Sequence, residues 1–148
     1  MQYTAADFNP SILKDNEVQI KNKPWGREVW FAHNEKYAGK ILEIKKGHRY
    51  SLQFHEQKRE SQYVYSGKVK FTYGPDENNL QEAILGPGEK LEVIPPMIHR
   101  AEALEDSQIF EVSTPELNDV VKLQDDYGRS GKGNNSDLDQ QLHQKNNT

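Results

Sequence analysis

The chain has 148 residues, enough for one domain with a real core and too few for two ordinary ones. Its net charge of −4, with acids and bases interspersed, excludes the basic footprint of a nucleic-acid binder, and the lack of cysteine excludes disulfides and thiolate metal sites. Hydrophobic residues make up 34% and the mean hydropathy is −0.97, so either the surface is very polar or part of the chain is unfolded. No apolar run approaches membrane-spanning length and the first residues show no signal-like region, so a soluble, cytoplasmic protein is expected.

In chain order, residues 1–16, weakly periodic and containing Asn9-Pro10, read as a lead-in with one short turn of helix. From Glu17 to about Thr114, short segments rich in Val, Ile, Tyr and Phe alternate with polar residues. The candidate strands are EVQIK, REVWFAH, KILEIKK, YSLQFH, SQYVYS, KVKFTY, QEAIL, KLEVI, HRAEAL and SQIFEVS. Ser66-Gly67, Gly74-Pro75-Asp76 and Gly86-Pro87-Gly88 carry turn chemistry between them. Many short strands at regular spacing predict an all-β sandwich or barrel over residues 17–128. The segment ELNDVVKLQDDYGR follows as a short strand or helix on the outside. Residues 129–148 are polar and rich in Gly, Asn and Gln, and are expected to be disordered, although SDLDQQLHQ would form a turn or two of helix if something held it.

The stretch SLQFHEQKRE concentrates the chemistry. Residues i and i+2 of a strand share a face, so Gln53 and His55 project together, and Glu60 reaches back if EQKR bends tightly. His99 opens another strand after Ile94-Pro95-Pro96. Two imidazoles, a carboxylate and an amide oxygen converging in a small barrel would bind a divalent cation.

Gly47, Gln53, His55, Glu60 and Gly67 fit the first cupin motif, G-x5-H-x-H-x(3–4)-E-x6-G, with Gln53 in place of the first histidine. The second motif is matched less well: Gly88 and His99 are correctly spaced, but its internal glycine is missing and Ala103 stands where it has asparagine. The chain thus resembles the cupin superfamily, and SLQFH…E resembles the Gln-His-Glu-His set of its phosphomannose isomerases. Lys23-Pro24-Trp25-Gly26, His99-Arg100 and the IFEVSTPELNDVVKLQDDYGR ending are similar to the type II branch, often joined to a mannose-1-phosphate guanylyltransferase domain.

The resemblance implies a single cupin jelly-roll barrel with a short C-terminal extension, and a metal-dependent sugar-phosphate isomerase that interconverts aldose and ketose through an enediol. It implies metal ligation by Gln53, His55, Glu60 and His99. Zinc is the first choice, with manganese, iron, cobalt or nickel as alternatives. Arg100 and Glu111 are candidate catalytic residues, and Arg49, Lys58 and Arg59 candidate phosphate binders. Strand alternation points Arg100 away from His99, so it reaches the mouth only if the strand twists or bulges. A phosphorylated sugar is the expected substrate and a homodimer the expected assembly. His55, His99 and Glu60 also compose a 2-His-1-carboxylate set, which leaves a non-haem iron dioxygenase open, as the degraded second motif leaves a sugar-binding or regulatory cupin without turnover. Trp25 and Trp30 read as core or rim packing, and His33, His48 and His143 as surface.

Overall fold

The computed structural model describes residues 2–10 and 18–146. Within the lead-in, Ala5–Phe8 form one 3₁₀ turn, and residues 11–17 lie outside the described part. Each of the ten candidate strands is present, as β1 (Gln19–Lys23), β2 (Gly26–His33), β3 (Ala38–Ile44), β4 (Leu52–Phe54), β5 (Glu60–Ser66), β6 (Val69–Gly74), β7 (Gln81–Leu85), β8 (Lys90–Val93), β9 (Ile98–Ala103) and β10 (Ser107–Ser113). The outer segment is a strand, β11 (Val121–Gln124), followed by the short β12 (Gly131–Lys132) and one helix, α1 (Ser136–Asn146).

Two six-stranded antiparallel sheets result, in the orders β1-β2-β3-β10-β5-β8 and β12-β11-β4-β9-β6-β7. Both glycines that bound the SLQFHEQKRE region, Gly47 and Gly67, have φ near +90°, a conformation L side chains avoid. A Cβ on Gly67 would also strike Ser107.

The strands are inward-polar at one end and inward-apolar at the other. Cross-strand register makes this a layered interior. Ile109 lies opposite Leu42 and Val64, and Ala101 opposite Phe71, joining Trp25, Ile44 and Val69 in a fully buried apolar core. One layer away, Glu111 lies opposite Lys40 and Gln62, while in the second sheet Gln53 lies opposite both Lys122 and His99. Burying this second layer is costly unless every charge finds a partner. Its placement beside a rigid apolar layer is what marks it as the site.

Residues 147 and 148 lie outside the described part, and residues 129–146 are ordered, which corrects the expectation of disorder over 129–148. Composition offers them little apolar surface, but two buried ion pairs hold α1. Asp139 takes Lys23 Nζ at 2.8 Å and Arg129 Nη1 at 3.2 Å. Asn22 donates to Gln140 at 2.8 Å, and His143 Nδ1 lies 2.8 Å from the Lys23 carbonyl, so this histidine is tied to the fold instead of free on the surface. No helix among the described residues is long and apolar enough to cross a membrane.

Candidate metal centre

β4, β5 and β9 bring His55, Glu60 and His99 to one buried point, with potential ligand atoms all within 4.8 Å of one another. The backbone fixes both rings. His55 Nδ1 lies 2.6 Å from the Asp119 carbonyl and His99 Nδ1 3.1 Å from that of Met97, so each Nδ1 carries the hydrogen. Each Nε2 then presents a lone pair, and these face Glu60 Oε1 at 3.3 and 3.0 Å. Lone pairs aimed at a carboxylate repel unless something positive sits between them, either a proton or a metal ion. His99 Nε2 is buried without a hydrogen bond, as expected of an atom shaped for a cation, while Glu60 Oε2 faces the Lys58 ammonium. Burial would raise the Glu60 pKa. The Lys58 ammonium beside it outweighs burial and holds the carboxyl well below its usual range, so it is an anion ready to ligate. Two nitrogens and a carboxylate on a closed, oriented frame fit a divalent cation.

Beside this point, lined by His55, Lys58 and Glu111 among others, runs a narrow cavity of about 50 Å³. Gln53 stands on its wall with Oε1 accepting from Ser51 Oγ at 2.7 Å. Lys58 lies inside the barrel, 3.0 Å from Glu60 Oε2 and 3.1 Å from Glu111 Oε2, where it neutralises two carboxylates. Glu111 also faces Lys40 at 3.6 Å and receives Gln62 Nε2 at 3.3 Å. Burial, reinforced by the neighbouring Glu60 charge, raises its pKa, the direction a proton-transferring carboxyl needs at neutral pH.

The remaining candidates are not brought to the cavity. Arg49 is spent on Asp126, with Nε and Nη2 donating at 2.8 and 2.9 Å. Arg59 is exposed near Glu92. Arg100 follows simple strand alternation: it turns away from His99 and donates to the carbonyls of Tyr50 and Gln124, tying loops together. Sequence reasoning passed over Lys40, Gln62 and Lys122, which line the cavity. A signal existed, because Lys40 shares a strand face with Leu42 and Ile44, and Gln62 with Val64.

Five cations and five carboxylates meet here: Lys23, Lys40, Lys58, Lys122 and Arg129 against Glu28, Glu60, Glu111, Asp125 and Asp139. The charges balance, so a bound divalent cation leaves the interior positive and suited to an anion. Glu28 shows how firmly they are coupled. Burial raises its pKa, yet Lys40 and Lys23, with the Trp30 indole N–H, pull it from 4.5 down to about 2. A depressed carboxyl contributes stability that is present above the unfolded pKa and lost as pH falls through the folded one. We therefore expect Glu28 to add about 3 kcal/mol at neutral pH, disappearing between pH 4.5 and 2. Urea denaturation at pH 7 and pH 3 should show a shallower acid loss for Glu28→Gln; identical slopes would contradict it.

No curated protein sequence matches the chain. Solved structures resemble it in fold. KdgF from Halomonas sp. is 20% identical with a TM-score of 0.59, over 69% of this chain and 88% of that one. Oxalate decarboxylase from Bacillus subtilis is 17% identical with a TM-score of 0.63, over 72% of this chain and 30% of that one. CapF, solved with the inhibitor 3-isopropenyl-tropolone, is 18% identical with a TM-score of 0.60, over 82% and 36%. The chain thus spans less than half the length of the last two. All three are cupins, and the present barrel is the cupin jelly roll. The family model for the C-terminal part of mannose-6-phosphate isomerase matches residues 14–125, from the first strand through the segment that places Lys122 beside Gln53, and to that mannose-6-phosphate isomerase C-terminal family the chain belongs.

Proposed function

We propose that the protein is a metal-dependent sugar-phosphate isomerase, interconverting an aldose and a ketose phosphate of the mannose 6-phosphate type. The observation that carries this is the junction of the His55–Glu60–His99 point with the buried Glu111–Lys58 pair: Lys58 bridges Glu60 and Glu111, and His55, Lys58 and Glu111 line one cavity. A divalent cation held by His55, Glu60 and His99, with Gln53 adding a neutral oxygen, would supply a Lewis acid for the sugar oxygens without a redox change. Glu111 is the group that takes the proton from C2 and returns it to C1. Lys58 and Gln62 fix the Glu111 carboxyl and offset negative charge as the proton moves. Membership of the family and the surplus positive charge once a cation is present support the phosphorylated substrate.

One observation favours a second reading. Gln53 Oε1 is already engaged by Ser51, which leaves a 2-His-1-carboxylate set of the oxygenase type. A single experiment separates the readings. Zinc-loaded protein under anaerobic conditions should incorporate solvent deuterium at C2 of mannose 6-phosphate, followed by proton NMR, and Glu111→Gln should lose the exchange by ~100-fold or more. Oxygen uptake by the iron-loaded protein without exchange would establish the oxygenase instead. Ligand binding with neither would mark a sugar-binding cupin.

A further inference from the structure

The cavity wall holds one cation unlike the rest. Lys23, Lys40, Lys58 and Arg129 each meet a carboxylate. Lys122 is buried, yet among the described residues it has no carboxylate partner; its ammonium donates only to the Gly133 carbonyl and to Asn134 Oδ1 at 3.3 Å. An ammonium has three donors, so one remains, and a buried cation without a counter-charge is costly unless an anion completes it.

Its position is as telling as its lack of a partner. In register, Lys122 lies opposite Gln53, and Gln53 opposite His99, so the three form one row across β11, β4 and β9. Adjacent strands are about 4.8 Å apart, which puts Lys122 roughly 10 Å from His99 along the backbone. The inner cavity, at about 50 Å³, is too small to enclose a phosphorylated hexose. Lys122, Arg129 and Asn134 also line an adjoining pocket of about 210 Å³ toward α1.

We infer that Lys122, with Asn134 beside it, is the anion subsite that receives the phosphate monoester of the substrate, held in the outer pocket while the reacting carbons lie toward Gln53 and His99. This rests on the sugar-phosphate reading above. It assigns the phosphate to a residue of the C-terminal segment, in place of Arg49, Lys58 and Arg59, which are committed elsewhere.

The test is titration calorimetry on the metal-loaded full chain with mannose 6-phosphate, mannose and inorganic phosphate. Wild type should bind the sugar phosphate and inorganic phosphate. Lys122→Met should weaken both about tenfold or more, leave mannose unchanged, and raise KM with little change in kcat in any turnover assay. Lys122→Arg should restore phosphate binding, which a purely structural role for the ammonium would not require. Equal binding of phosphate by Lys122→Met with an unchanged circular dichroism spectrum overturns the assignment. So does loss of mannose and phosphate binding together, since that reports disturbance of the barrel. Should Lys122→Met misfold, failure of Lys122→Arg to bind phosphate overturns it equally. Phosphate binding that depends on Lys122 in a protein without C2 exchange leaves the subsite standing and removes the isomerase.

Discussion

His99→Ala is expected to lose its metal. Elemental analysis of the purified parent chain should find a divalent cation in stoichiometric amount, and the variant should retain almost none. The loss should exceed the roughly 10–100-fold in affinity that follows from altering an outer partner of a metal ligand. His99 is the most informative position because its Nε2 is buried with no hydrogen bond while its Nδ1 is anchored to Met97. Removing the ring takes away an oriented ligand while leaving the Lys58 contacts to Glu60 and Glu111 in place. Turnover should fall with the metal and should not return on adding zinc. His48→Ala is the matched control, since His48 stacks on Tyr127 outside the cavity and its loss should leave the metal content unchanged. Absence of metal from both parent and variant would sink the isomerase and oxygenase readings together.

The strands were legible because their inward positions follow a period of two and their turns carry Gly, Pro and Asn. The metal point was legible for a different reason: His55 and Glu60 sit at fixed spacings between Gly47 and Gly67, and His99 at a fixed spacing after Gly88, all three glycines having positive φ. The polar layer was not. Lysine in an alternating strand is read as solvent-facing, and Lys40 breaks that rule because Glu28 and Glu111 wait for it inside. Lys58, a candidate phosphate binder by resemblance, likewise lies inside the barrel against Glu60 and Glu111. Sequence shows each charge singly, whereas the partner that permits burial lies dozens of residues away. The C-terminal helix was hidden in the same manner. Its single buried residue is the acidic Asp139, so hydropathy gave no hint that Lys23 and Arg129 would anchor it. Arg100 went the other way: alternation pointed it out of the barrel, and there the structure places it.

Lys58 offers the second large effect, and it discriminates between structural and metal-linked roles for the same charge. Its ammonium is buried between Glu60 and Glu111, and those carboxylates, together with its hydrogen bonds to them, raise its pKa despite burial, so it stays charged across the working range. Lys58→Met leaves two buried carboxylates facing one another without that counter-charge, and breaking a buried pair in this way costs about 3–5 kcal/mol. In the metal-free protein, urea denaturation should therefore show a loss of that size, or Glu111 should take up a proton to relieve it. A divalent cation ligated by Glu60 supplies positive charge to the same carboxylate. Adding saturating zinc should then recover much of the stability lost in Lys58→Met, beyond the gain that zinc gives the parent chain. A variant as stable as the parent without metal, with no proton taken up on folding, would show that Lys58 is not the counter-ion. A deficit that zinc leaves untouched would show that the cation does not sit against Glu60. The two outcomes are separable because each reads a different thermodynamic difference on the same pair of proteins.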